Sequence, residues 1–427
     1  MRLSKNQFCK LAMMYFLLFI LSYTSGKYVV LTYVKFNTET TLPRISFANT
    51  YEVAKTCEPL EMFDFMESTE WSEVSEDFSN SFTEEILSGT CDQSDGSQGL
   101  YDESYEPLYE NVCNDFTIPN NTVLDVTANG NYYTYCPAGV NTESSPVMFY
   151  CQNGADGQVI DYIYCSVITD PVQGNVALEP SVSGWDSAHV CDPTVVNGTY
   201  SYQDVVYQYA MFYLGCSTYD NQCNKIGVAL SNDLKSKFIK PEHNLLLDYS
   251  YDSTCPDVFQ WGIGQPSAIS LGNGKVLLFY TKGDPSGTAT YAVTMDLSCI
   301  ENISISNPVK VSDSGIPLFI SNADFAYDNG TGTLYMICDS RPFSSGDLDY
   351  IAASSDIYST NVPLTLEALM TCDWNFLQRI DSNMTGFLRN HNCGFIRDAS
   401  GYTSGQPGVL CTVANHSLWE YRIMYIP

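Results

Sequence analysis

Positive charge is what this chain has least of. Its 427 residues hold 19 Lys plus Arg against 49 Asp plus Glu, a formal charge of −30. Residues 56–224 contain no Lys or Arg at all, yet hold 27 acids. Non-specific binding to nucleic acid or to an anionic membrane needs a basic footprint, so that class of function falls away. Histidine is scarce at four, and no Cys-x-x-Cys pair occurs among the 16 cysteines, so the usual spacing of a zinc site is missing. Gly-x-Ser-x-Gly elbows and glycine-rich phosphate loops are absent. His189, His243, His391 and His416 lack a recognisable nucleophile partner, which excludes serine–histidine–acid catalysis. Glycine and proline, 28 and 19 in number, are near average, against collagen and wholesale disorder.

Long apolar runs are equally rare. The single one is LAMMYFLLFILSY (11–23), preceded by Arg2, Lys5 and Lys10 and followed by Thr24, Ser25 and Gly26. This pattern predicts a secretory signal over residues 1–26, cleaved near Gly26. It is short for a membrane span, although a signal anchor is the alternative reading. No integral membrane segment is expected beyond it. Without residues 1–26 the balance is 16 basic against 49 acidic side chains, or −33.

The cysteines fit an oxidising compartment. With Cys9 in the signal, fifteen remain: Cys57, Cys91, Cys113, Cys136, Cys151, Cys165, Cys191, Cys216, Cys223, Cys255, Cys299, Cys338, Cys372, Cys393 and Cys411. An odd number leaves one thiol free or paired between chains, and proximity suggests Cys216–Cys223 as a staple around STYDNQ. Six Asn-x-Ser/Thr sequons, at Asn120, Asn197, Asn302, Asn329, Asn383 and Asn415, point to an exposed, glycosylated, extracellular surface.

Seventeen acids fall between Glu58 and Asp115. Charge of one sign at this density repels itself, so residues 27–119 read as an acidic extension anchored by Cys57, Cys91 and Cys113. No twelve-residue calcium loop occurs in it. Ahead of the acids, YVVLTYVKF (28–36) is a strand candidate.

From about residue 120 the texture becomes short apolar and aromatic runs between turn residues. VMFYCQNG (147–154), AMFYLG (210–215), VLLFYTKG (276–283) and TLYMICDS (333–340) look like one strand repeated, with Tyr150, Tyr213, Tyr280 and Tyr335 as markers. Asp170, Asp233, Asp296 and Asp356 follow at a similar period near 60 residues and read as turn residues. Two markers on one period are the signature of repeated sheet units. With a shorter fifth unit over 394–426, the expected fold of 120–427 is all-β, a five-bladed β-propeller, with YVVLTYVKF a candidate to complete its last blade.

In such a ring the inner strands line a funnel, and polar residues at their starts converge without any local motif. Asp192, Gln265, Asp324 and the His391–Asn392 pair stand at these starts, with Asp125 in the equivalent place of the first unit. Trp185 and Trp261 precede two of the strands and could stack on a sugar face or serve as blade packing. Asp-Pro at 192–193 also suits an ordinary turn.

The segments CDPTVV, IGVALSNDL, GQPSAI, NADFAYD and HNCGFIRD resemble the blades of the five-bladed propeller glycoside hydrolases, the arabinanase, xylosidase and invertase superfamily. The resemblance covers about residues 120–427. It implies a carbohydrate substrate, Asp192 as general base, and Asp324 as general acid, with Gln265, His391 and Asn392 binding sugar hydroxyls. A structural calcium at the funnel floor is compatible with it; no other cofactor is expected. Two departures stand out: Gln265 replaces a second aspartate, and Glu179, Glu242, Glu301, Glu367 and Glu420 all lie away from the strand starts where the acid should be. Two functions therefore stay open: a secreted glycosidase working through paired carboxylates, or an inactive relative that binds glycan or protein.

Overall fold

The computed structural model describes residues 122–124, 133–142, 145–153, 160–317, 319–340, 353–415 and 421–427. The signal, YVVLTYVKF, the acidic extension with its three cysteines, Asn120 and Asp125 lie outside the described residues.

The described chain is all-β. A short strand, β1 (Thr122–Leu124), precedes five sheet units. The first holds β2 (Thr134–Asn141), β3 (Val147–Asn153), β4 (Asp161–Val167) and β5 (Asp170–Leu178). The second holds β6 (His189–Tyr202), β7 (Val205–Cys216), β8 (Lys225–Ser231) and β9 (Leu245–Leu247). The third holds β10 (Gly262–Gly272), β11 (Lys275–Asp284), β12 (Gly287–Asp296), β13 (Ser304–Ile305) and β14 (Val309–Lys310). The fourth holds β15 (Asp324–Asp328), β16 (Thr333–Ser340), β17 (Ser354–Asn361) and β18 (Asn375–Ile380). The fifth is β19 (Arg389–Asp398), β20 (Val409–Ala414) and β21 (Arg422–Ile426).

Within each unit consecutive strands pair antiparallel, except that β13 and β14 both pair with β12. The second strands, VMFYCQN, KVLLFYTKGD, TLYMICDS and VLCTVA among them, are mainly apolar through their buried centres because both faces are covered there. The cover comes from the neighbouring units. Phe149 and Val147 meet Met211 and Tyr213 between units one and two. Phe212 and Val228 meet Leu278 and Val293 between two and three. Phe279 lies against Phe325, ring centroids 3.9 Å apart, between three and four. Ile337 and Ile357 meet Phe395 and Cys411 between four and five, and Leu410 and Ile423 meet Met148 and Tyr150 between five and one. Each unit thus shares a core with the next, and the last with the first. The sheets are arranged like the blades of a propeller, with burial ~1.5–3 kcal/mol per large apolar side chain acting across every seam.

Closure differs from expectation. The outer strand of the fifth unit is β1, paired with β21 through Thr122↔Tyr425, Val123↔Met424 and Leu124↔Ile423. Three residues ahead of the first unit form this edge, and YVVLTYVKF, offered for the last blade, lies outside the described residues. VLDV accordingly begins in an outer strand, and the inner strand of unit one is β2. On the inside, β19 runs parallel to β2, with Ile396 opposite Gly139. A Cβ on Gly139 would stand 2.8 Å from Ile396, and one on Gly394 2.0 Å from the Pro137 carbonyl, so only glycine allows this approach.

Three other expectations need correcting. Cys216 and Cys223 are thiols; the described disulfides are Cys151–Cys191 between units one and two and Cys393–Cys411 within unit five. Asp356 is no turn residue: it lies buried in β17 with Arg379 bidentate on it, because the third strand of unit four begins at Ser354 rather than ending there. Among the sequons, Asn302, Asn329 and Asn383 are exposed, but Asn197 and Asn415 are half-buried, the Asn197 amide oxygen accepting from Ser400 Oγ. No helix among the described residues is long and apolar enough to cross a membrane.

Candidate functional site

Five non-glycine residues, one per sheet unit, sit in left-handed backbone at nearly the same angle: Cys136 (φ 49°), Asp192 (50°), Gln265 (51°), Asn322 (49°) and Asn392 (46°). Four coincide with a break in strand register, between Tyr135 and Ala138, Cys191 and Thr194, Gly264 and Ser267, and His391 and Gly394. The fifth, Asn322, stands two residues ahead of β15. A bulge re-aims the side chain of its extra residue out of the sheet. Pro137, Pro193 and Pro266 follow three of them; lacking an N–H, proline is tolerated where the ladder is broken. Such backbone costs of order 1–3 kcal/mol per residue and persists only where the surroundings enforce it. Its recurrence in every unit shows that the fold imposes it.

These five side chains line one depression, with Asp324 among the residues beside them. It encloses about 370 Å³ of non-atom space, open solvent included. A chain of hydrogen bonds runs round its rim. Asn392 Nδ2 donates to Cys136 Sγ at 2.9 Å, and the Cys136 thiol donates to the Asp192 carboxylate, which also accepts the Gln265 N–H. Gln265 Oε1 accepts the Asn322 N–H at 2.9 Å, Asn322 Nδ2 donates to Asp339, and Asp339 accepts the Asn392 N–H at 3.0 Å. Asp339, buried on β16, is thus the bridge of the rim.

Burial pushes the Asp192 carboxyl up to about 6; the Cys136 and Gln265 donors oppose this, and the charge of Asp161 adds to it. Burial and the adjoining Asp192 charge also push the Cys136 thiol well above its ordinary value. Asp161 itself pairs with buried His189 at 3.1 Å.

Asp324 is differently placed. Ser267 Oγ donates to its Oδ1 at 2.6 Å, the Phe395 N–H to Oδ2 at 2.8 Å, and Arg397 Nη2 lies 3.4 Å from Oδ1. Arg397, only 3% exposed, also donates to Thr194 Oγ1 at 2.6 Å and to the Phe325 carbonyl. Both oxygens of Asp324 are therefore committed to a buried cation and its neighbours.

The remaining sequence candidates divide. Gln265 and Asn392 join Asp192 at the depression, whereas His391 does not line it. His391 is buried against Tyr421, ring centroids 4.9 Å apart, and burial beside Arg389 brings its imidazole down to about 3, hence neutral. Trp185 stacks on Tyr213 at 5.6 Å and donates to Asn244, and Trp261 packs beside Leu214 and the Cys151–Cys191 disulfide; neither lines the depression. Cys136, Asn322 and Asp339 escaped the sequence reading. The recurrence of Cys-Pro, Asp-Pro and Gln-Pro at 136, 192 and 265 was the available signal for the first.

Among the described residues, one group of metal-ligating side chains comes together, Cys136, Cys151, Cys191 and Asp192. Two of its sulfurs are bonded to each other, and its single carboxylate falls well short of the 6–8 oxygens of a calcium site.

No family model and no curated protein matches the chain. Solved structures similar to it include the catalytic domain of an α-L-arabinofuranosidase from Coprinopsis cinerea, 10% identical, covering 71% of this chain and 94% of that one at a TM-score of 0.48. An α-L-arabinofuranosidase from Podospora anserina, solved with cellotriose, is 10% identical over 71% and 94% at 0.45. A family 117 glycoside hydrolase from Zobellia galactanivorans is 11% identical over 71% and 88% at 0.44.

Proposed function

We propose that the chain is a secreted, glycosylated five-bladed β-propeller whose funnel binds carbohydrate without hydrolysing it. One observation carries this reading: the five equivalent rim positions present a single carboxylate, three amides and a thiol. Glycoside hydrolysis needs two carboxyl groups across the bond, ~5–5.5 Å apart for retention or ~6.5–9.5 Å for inversion. Asp324, the acid that the sequence suggested, accepts from Ser267 Oγ and the Phe395 N–H and pairs with Arg397, so both of its oxygens are already engaged within the protein. Amides both donate and accept, as sugar hydroxyls do, and Asn322 Oδ1 and Asn392 Oδ1 have no hydrogen-bond partner among the described residues.

Calorimetry of the full chain with neutral arabino- and xylo-oligosaccharides tests the proposal, run beside an assay for released reducing sugar. Saturable binding without hydrolysis is expected, and Asp192→Asn should weaken it about 10- to 100-fold, the worth of a hydrogen bond to a charged group. Hydrolysis by the native chain that disappears in both Asp192→Asn and Asp324→Asn would establish the enzyme instead. Glycans are expected at Asn302, Asn329 and Asn383, by mass spectrometry of protein from a glycosylating host.

A further inference from the structure

Three sulfurs meet at the edge of the funnel. Cys136 Sγ, Cys151 Sγ, Cys191 Sγ and a carboxylate oxygen of Asp192 all lie within 4.8 Å of one another. Cys151 and Cys191 form the disulfide that joins units one and two; Cys136, half-buried on β2, is a thiol. We propose that Cys136 exchanges with this disulfide, attacking Cys151 and releasing Cys191, so that a bond between two units becomes a bond within the first.

The surroundings suit each part of the step. The Asp192 N–H donates to Cys151 Sγ at 3.1 Å, drawing electron density from the sulfur to be attacked. Asp192 Oδ1 lies 3.2 Å from Cys191 Sγ, and the Tyr135 hydroxyl also lies 3.2 Å from it, placed to stabilise a departing thiolate. On the attacking side, Asn392 Nδ2 donates to Cys136 Sγ. Asp192 accepts the Cys136 proton as the Cys136–Cys151 bond forms. The Cys151–Cys191 bond breaks with its electron pair on Cys191, which takes the proton back from Asp192. One disulfide and one thiol enter and leave, so no external oxidant or reductant is consumed. Burial keeps Cys136 protonated at rest, which is why a base touching both thiol and leaving sulfur matters. The exchange would loosen the seam between units one and two at the funnel mouth.

Slow alkylation of the native full-length chain at neutral pH, followed by non-reducing peptide mapping, reads the exchange directly. Label should appear on Cys191 together with a Cys136–Cys151 linkage, while the total thiol count stays constant. In Cys136→Ser, Cys191 should never label. In Asp192→Asn, the Cys191 label should appear on the order of 100-fold more slowly, as expected for loss of a positioned base. Thermal melts confirm that each variant is folded, and Cys136→Ala serves where serine disturbs the rim. Label confined to Cys136 at all times would overturn the proposal, as would three reduced cysteines holding stoichiometric metal.

Discussion

The inner strands carry two layers of residues, two positions apart, that are held in different ways. The outer layer is Cys136, Asp192, Gln265, Asn322 and Asn392, all left-handed and half-buried, linked by single hydrogen bonds round an open depression. One step along the same face lie Ala138, Thr194, Ser267, Asp324 and Gly394, where Arg397 bonds Thr194 and Ser267 and pairs with Asp324. Asp192 and Asp324 look alike in sequence, each an aspartate at the start of an inner strand. Both line the depression, but the first sits at a bulge and the second neutralises a buried guanidinium. The difference teaches that a carboxylate's position along an inner strand, shifted by two residues, decides whether it also carries a buried cation.

The largest expected effect breaks the inner layer. Arg397→Leu leaves Asp324 buried without its cation and should cost about 3–5 kcal/mol of stability, read from the urea midpoint. Sugar binding by the protein that remains folded should be unchanged; its loss would merge the two layers into one site. Adding Asp324→Leu should recover part of the cost, with a coupling of about 0.5–3 kcal/mol in the double-mutant cycle.

Asp192→Asn sharpens the contrast through pH. The folded carboxyl titrates near 6, above its ordinary value of 3.8, so between these values the native state binds more protons than the unfolded chain. Stability contributed by Asp192 therefore falls as pH rises through this window. Relative to the native chain, Asp192→Asn should gain on the order of 1–3 kcal/mol at about pH 7 and nothing below about pH 4. Thermal melts across the range would show it, and a difference that does not change with pH would place the carboxyl in an ordinary solvated setting. Smallest is Gln265→Ala: stability lowered by about 1 kcal/mol, because the Asn322 N–H loses its acceptor, and sugar affinity reduced about five- to tenfold by calorimetry.

Much of this architecture was legible. The tyrosine-marked strands fall on β3, β7, β11 and β16, because second strands covered on both faces need an apolar centre. Asp192, Gln265 and Asn392 were visible as polar residues before apolar runs. Cys136 was hidden because cysteine also reads as half of a disulfide. Asn322 was hidden because Asp324, nearby, carries the charge that a search for acids seeks. Trp185 and Trp261 were ambiguous for want of neighbours: the Tyr213 ring and the Leu214 side chain that cover them lie 28 and 47 residues away in sequence.

By itself, then, the sequence determined the repeat, the strand type and the polar residues available at each strand start, because these depend on period and local chemistry. Tertiary structure alone decided which of those residues share a rim, which carboxylate meets Arg397, and which cysteines touch. It also decided that residues 122–124 close the ring. Each of these outcomes depends on strands from different units coming within a few ångströms, and no local pattern records which distant partner will be there.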